Sequence, residues 1–204
     1  MKTMKTMKTM KTMKTMKTIK VQSGLTLLEL MITLFLLSIL LGVSMPEFKT
    51  LMERKKAELS IRKLANAIAL AKSSAIASGS LVTLCRSSGG AKCGGKWQDG
   101  LIIFTDSNAD RKINQQDKLL LSITFPLMHG ELRWRAFQNR QYLQITRLGF
   151  TRYQNGNFTY CPEDKNPRFA SQLIINRTGR VRFAIDSDED GIKEDSQGRA
   201  ITCR

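Results

Sequence analysis

From residue 25 to residue 45 the chain is apolar at nearly every position, interrupted only by Thr26, Glu29, Thr33, Ser38, Gly42 and Ser44. These 21 residues match the roughly 20 that an α-helix needs to cross the hydrocarbon core of a bilayer. Pro46 then removes a backbone donor and crowds the preceding turn, which predicts a bend. Beyond it the apolar positions Leu51, Leu59, Ile61, Leu64, Ile68, Ala71, Ala75 and Ile76 recur at helical spacing, and Gly79 is a suitable stop. After residue 79 the pattern changes to short β-rich runs at 81–84, 101–104, 119–123, 132–136, 142–145, 173–175 and 181–185. Turn clusters at 87–95 and at Asn155-Gly156-Asn157 separate them. The pattern predicts an α+β chain, in which a long N-terminal helix, half membrane and half spine, packs against one small antiparallel β-sheet domain.

The first 18 residues are six copies of Met-Lys-Thr, with no apolar periodicity. Each copy offers a start codon, and a start at Met16 gives a leader of ordinary length. Seven lysines and no acid lie before residue 25, which predicts that this end stays cytoplasmic and that the rest crosses the membrane. The expected organisation is a removed leader at 1–24, a transmembrane helix at 25–45, a periplasmic continuation of that helix at 46–78, and a globular domain at 79–204. The formal charge of +16 is partly the leader's, because without it 26 basic residues face 17 acidic ones.

One carboxylate inside the apolar run needs explanation. A charge near the centre of a bilayer costs about 2.5–3.5 kcal/mol even on insertion scales, so Glu29 needs a partner. A cut after Gly24 makes Leu25 the N-terminus, and its amine lies four residues from Glu29 on one helix face. The same amine can serve Glu29 of a neighbouring copy. A secretory signal is cut after its apolar run; the site here precedes it, so the segment stays as an anchor.

This N-terminus resembles the type IV pilin and pseudopilin superfamily, in which a basic leader ends in Gly and Glu stands fifth in the mature chain. Gly24, Leu25 and Glu29 fill those positions, with Leu25 in place of the commoner Phe. The resemblance narrows along the chain. LANAIALAKSSAIASGSLVTLC, KWQDGLIIFTDSNAD, LGFTRYQNGNFTYC and IINRTGRVRFA follow the order of the GspH/FimT family of minor pilins and pseudopilins. It implies an α+β pilin fold, cleavage and N-methylation by a prepilin peptidase, and assembly into the tip or priming complex of a type IV pilus or type II secretion pseudopilus. The implied partners are other minor subunits, the major subunit and the inner-membrane assembly platform.

Four cysteines in an exported segment permit two disulfides in three possible connectivities, of which local pairing, Cys85 with Cys93 and Cys161 with Cys203, is the expected one. With no C-x-x-C and with His129 as the one histidine, neither a zinc site nor a thiol nucleophile is indicated. The chain is expected to be no enzyme and to need no cofactor. Two acidic loops carry fragments of calcium-site spacing. Asp106, Asn108, Asp110 and Asp117 occupy positions 1, 3, 5 and 12, with Arg111 where Gly should turn the chain; Asp186, Asp188, Asp190 and Gly191 fit better, with Gln197 twelfth. Both are expected as solvated turns, the second with weak calcium potential.

Between residues 129 and 182 ten basic residues face three acids: Arg133, Arg135, Arg140, Arg147, Arg152, Lys165, Arg168, Arg177, Arg180 and Arg182 against Glu131, Glu163 and Asp164. Trp134, Phe137, Tyr142, Phe150, Tyr153 and Phe158 are interleaved. Such a mixture suits a phosphate backbone. Gly179-Arg180-Val181-Arg182 resembles the Gly-Arg-x-Arg element of DNA-binding FimT-type pilins, which implies double-stranded DNA as an alternative partner, contacted by Arg180, Arg182 and Arg177. In a strand, Arg180 and Arg182 share a face. The acidic stretch that follows could cover them.

Overall fold

A computed structural model describes residues 26–125 and 130–203. Gly24, Leu25, the leader and His129 lie outside the described residues. The chain divides into two compact units at residues 45 and 46.

In the first unit, helix α1 (Leu27–Ser78) begins. Thr26 caps it: its Oγ1 accepts from the Glu29 amide at 3.2 Å and its carbonyl from the Leu30 amide at 3.1 Å. Large apolar side chains are exposed on every face, including Leu28, Met31, Phe35, Leu37 and Leu40. The hydroxyls of Thr33, Ser38 and Ser44 donate to the Leu30, Phe35 and Leu40 carbonyls, so they add no unpaired polar group to an apolar surround. Among the described residues no single helix is long and apolar enough to cross a membrane. Leu27–Gly42 meets that test only together with Glu47–Ser78, across a break between them.

In the second unit, Ala57, Ile61, Leu64, Ile68, Ala71 and Ala75 alternate steps of four and three, forming one buried stripe on α1. Leu51, Leu59 and Ile76, expected on that stripe, are instead 51%, 57% and 53% exposed. They sit off the four-three rhythm, and the domain covers only one side of the helix.

The strands are β1 (Val82–Arg86), β2 (Gly100–Thr105), β3 (Leu119–Thr124), β4 (Glu131–Ala136), β5 (Tyr142–Ile145), β6 (Gly156–Cys161), β7 (Ser171–Ile175) and β8 (Val181–Phe183). They form two antiparallel sheets, β3-β2-β1-β5 and β4-β6-β7-β8, where one was expected. The split arises because β5 returns to the free edge of β1, while β4 pairs with β6. The sequence pattern predicts no strand at β6, because Asn155-Gly156-Asn157 reads as a turn. Gly156 in fact starts the strand: a Cβ there would lie 1.9 Å from the Arg135 carbonyl oxygen, so glycine permits close pairing.

The inner faces of both sheets meet the helix stripe in one core, with Leu84, Ile103 and Leu143 from the first sheet and Trp134, Phe158 and Leu173 from the second. Trp134 stacks on Phe158 at 4.3 Å and Trp97 meets Phe158 edge-on at 4.9 Å. Cys85, Ile102 and Phe104 form a smaller cluster on the other face of the first sheet. Disulfides join Cys85 to Cys93 and Cys161 to Cys203, the second tying the C-terminal segment to the end of β6.

Candidate functional site

Three groups of side chains follow from this frame. The first is Glu29, in the first turn of α1, where the helix dipole favours an acid. No described cation lies within ion-pair distance of its carboxylate.

The second is the outer face of the sheet β4-β6-β7-β8. Pairing aligns Arg135 with Asn157, Asn157 with Ile174 and Ile174 with Arg182; one row below, Arg133 aligns with Thr159 and Thr159 with Gln172. Since side chains alternate between faces, Arg133, Arg135 and Arg182 share the face opposite the Trp134–Phe158 core. Arg182 lies three strands from Arg135, about 14 Å at ordinary strand spacing. Arg180 precedes β8; its carbonyl accepts from the Asn176 amide at 3.1 Å and its own amide donates to the Asn176 Oδ1 at 2.9 Å. Five residues, Asn176, Arg177, Thr178, Gly179 and Arg180, join β7 to β8. Gly179 has φ +69° and lies against the Gly149 carbonyl, which a Cβ there would approach to 2.4 Å. The Arg177 carbonyl accepts from the Thr151 amide at 3.0 Å, and the Lys72 ammonium donates to the Thr178 carbonyl at 3.2 Å. These contacts fix the tip, leaving Arg177, Arg180 and Arg182 exposed.

Among the described residues no acid lies within ion-pair distance of those three arginines, so the acidic stretch that follows does not neutralise them. Arg133 is different, paired with Glu131 at 2.5 Å. That hydrogen bond holds the Glu131 carboxyl below its ordinary range and raises Arg133. Trp134 and Phe158 are core residues, so of the interleaved aromatics Phe137, Phe150 and Tyr153 are the large exposed ones. The alternation Leu132-Arg133-Trp134-Arg135 is the sequence signal that places Arg133 and Arg135 on one face. That they share it with Arg182 was not legible, because β6 was missed.

The third group is acidic. Asp106, the first position of the earlier loop, is fully buried. It accepts from the Thr83 hydroxyl at 2.5 Å, the Gln144 amide group at 3.1 Å and the Arg111 backbone at 3.2 Å. Asp117 takes the Ser107 and Asn114 amides, so this loop is held by its own hydrogen bonds. The later loop brings the carboxylates of Asp186, Asp188, Asp190 and Glu194 within 4.8 Å of one another. Glu194, not Gln197, supplies the fourth acid. Gly191 turns at φ +87° and donates to the Asp186 Oδ2 at 2.9 Å, while the buried Asp186 Oδ1 has no hydrogen-bond partner. Lys193 directs its ammonium at the Ser171 hydroxyl, 3.2 Å away, rather than at these acids. Oxygen donors of this kind suit a hard cation such as calcium.

The comparisons with known proteins decide the family. Residues 60–179 match the family model described as type II transport protein GspH, and residues 19–45 match the prokaryotic N-terminal methylation motif. The chain belongs to the GspH family. Among solved structures it is similar to the type IV minor pilin FimU of Pseudomonas aeruginosa. The identity is 15%, over 65% of this chain and 90% of that one, with a TM-score of 0.49. It is also similar to the minor pseudopilin EpsH of the Vibrio cholerae type 2 secretion system, at 15% identity over 63% and 95% of the two chains, with a TM-score of 0.46. No curated protein matches the chain. As a GspH-family chain it is a subunit of the minor pilin and pseudopilin kind, not an enzyme, and the methylation motif gives it a prepilin-type N-terminal anchor.

Proposed function

We propose that this GspH-family chain is a minor pilin or pseudopilin that joins the tip or priming complex of a type IV pilus or type II secretion pseudopilus. Before assembly it is held in the inner membrane with its C-terminal domain in the periplasm. A prepilin peptidase cuts after Gly24 and methylates Leu25. The observation that carries this reading is the first unit of α1, with apolar side chains exposed on every face and a single acid, Glu29. Such a surface is stable only against lipid or against other apolar helices. Moving from lipid into a bundle of subunits keeps the apolar area covered, and the amine of residue 25 in a neighbour satisfies Glu29. Packing drives association while the charge pair fixes register. The partners are other minor subunits, the major subunit and the assembly platform. Glu29→Ala is expected to leave membrane insertion intact and reduce incorporation into filaments. Normal incorporation of the variant defeats the mechanism, and a mature protein whose mass begins elsewhere than residue 25 defeats the processing step.

A second reading, double-stranded DNA binding, is favoured by the exposed, acid-free Arg177, Arg180 and Arg182 at the tip and edge of the second sheet. Arg135 lies in the same row as Arg182 and could neutralise a separate phosphate. Each Arg→Gln change at 180 or 182 is expected to weaken duplex binding and to lower the salt slope by about 0.9. No gel retardation at low salt ends this reading.

A further inference from the structure

Residues 146–153, which follow β5, fold back in a turn: the Thr146 amide donates to the Phe150 carbonyl and the Gly149 amide to the Thr146 carbonyl, both at 2.8 Å. This turn lies against the one between β7 and β8. The Thr151 amide and hydroxyl donate to the Arg177 carbonyl at 3.0 and 3.2 Å, and Gly179 abuts the Gly149 carbonyl. The two turns therefore present one continuous surface, on which Arg147 and Arg152 join Arg177 and Arg180, all of them exposed. Among the described residues no acid lies within ion-pair distance of any of these arginines.

The same turn carries rings. Phe150 is 46% and Tyr153 61% exposed, and among the described residues neither stacks on another ring. Their backbone is pinned from beneath. The Arg152 amide donates to the Gln144 carbonyl at 2.8 Å, and the fully buried Gln154 accepts the Gln144 amide on its Oε1 at 3.1 Å. Between those two attachments Tyr153 has φ +68°, in the left-handed region that a bulky residue seldom adopts. An apolar ring held in water gains by covering its face, and a flat apolar partner covers it best.

Arginines without acids select a polyanion. Rings set among them select a polyanion whose flat faces are open. A duplex keeps its base faces stacked inside, so Phe150 and Tyr153 have nothing to meet on it, and an acidic polymer without bases has no such faces at all. A single strand offers both parts, because every unpaired base has a π-face and the phosphates lie between successive bases. We propose that this surface binds single-stranded DNA, with Phe150 and Tyr153 stacking on unpaired bases and Arg147, Arg152, Arg177 and Arg180 neutralising the phosphates. The inference rests on the DNA reading for Arg177 and Arg180, and it changes the form of DNA that fits and adds the residues of the neighbouring turn.

The test is fluorescence anisotropy of the full processed chain in neutral detergent micelles, with a labelled oligo-dT of about 20 nucleotides, the same strand annealed to oligo-dA, and an abasic strand of equal length. Oligo-dT is expected to bind about fivefold or more tighter than either the duplex or the abasic strand at equal salt. Phe150→Ala and Tyr153→Ala should each weaken oligo-dT binding by about fivefold or more without changing its salt slope, whereas Phe150→Tyr and Tyr153→Phe, which keep the ring, should retain it. Arg152→Gln should instead lower the slope by about 0.7. The abasic comparison uses the unaltered chain, so it holds whatever the fate of the variants. Equal affinity for the abasic strand, or unchanged affinity in a folded chain carrying both Phe150→Ala and Tyr153→Ala, overturns the proposal. Equal affinity for the duplex also overturns it and leaves the duplex reading standing. Binding of oligo-dT without the duplex supports it and ends the duplex reading, and binding of no strand ends both.

Discussion

Opening the Cys161–Cys203 bridge tests how the C-terminal segment is held over the second sheet. The bridge spans 42 residues and Cys85–Cys93 spans eight. If each acts by restricting the unfolded chain, loop-closure entropy assigns about 4 kcal/mol to the long loop and about 2.5 kcal/mol to the short one at 25 °C. For a domain of this size the melting temperature moves by about 2–4 °C per kcal/mol, so the longer bridge should account for about 3–6 °C more than the shorter. The perturbation is Cys161→Ala with Cys203→Ala, compared with Cys85→Ala and Cys93→Ala, each pair read by calorimetry and urea titration. Since the effect is seated in the unfolded state, near-ultraviolet spectra of the native forms should be alike. Equal losses, or a larger loss from the eight-residue bridge, would show that native contacts rather than chain entropy decide the contribution and would refute the reasoning.

Other outcomes follow from burial. Leu64→Ala, at a fully buried position on the helix stripe, should cost about 2–5 kcal/mol, whereas the exposed Leu59→Ala should stay within about 0.5 kcal/mol in chemical unfolding. Tyr160 is pushed up to about 12, chiefly by burial and then by Glu53 and Asp164. Its folded value is raised, so its contribution to stability is complete below the unfolded value near pH 10 and is lost as the pH rises through about 12. Ultraviolet titration should find one of the three tyrosines ionising late, and Tyr160→Phe should remove that step; its persistence would count against the assignment. Calcium at ten times its dissociation constant should raise stability by about 1.4 kcal/mol. Asp188→Asn with Asp190→Asn should abolish the shift, and a calcium-insensitive melting curve would leave the loop a solvated turn.

Local chemistry made the N-terminal half legible. The apolar run, Glu29 and the helical apolar positions from Ile61 to Ala75 each depend on residues within a few turns, and periodicity reports them directly. Leu51, Leu59 and Ile76 were misplaced because an apolar residue on a helix does not say which side a domain will cover. The sheets were less legible. The two-sheet split and β6 rest on which strand edges meet, and Asn155-Gly156-Asn157 carries the same local signal whether it ends a loop or opens a strand.

By itself, the sequence determined the class of the chain: a basic N-terminal stretch, an apolar run with one acid, a helical spine and a β-rich region with four cysteines. Tertiary structure decided which charges act together. It placed Arg133, Arg135 and Arg182 on one sheet face, consumed Asp106 in a buried network, and substituted Glu194 for Gln197 beside Asp186. The physical reason is range. Propensity and periodicity act along the chain, whereas pairing register and burial join residues tens of positions apart, and these set the neighbours of each charge.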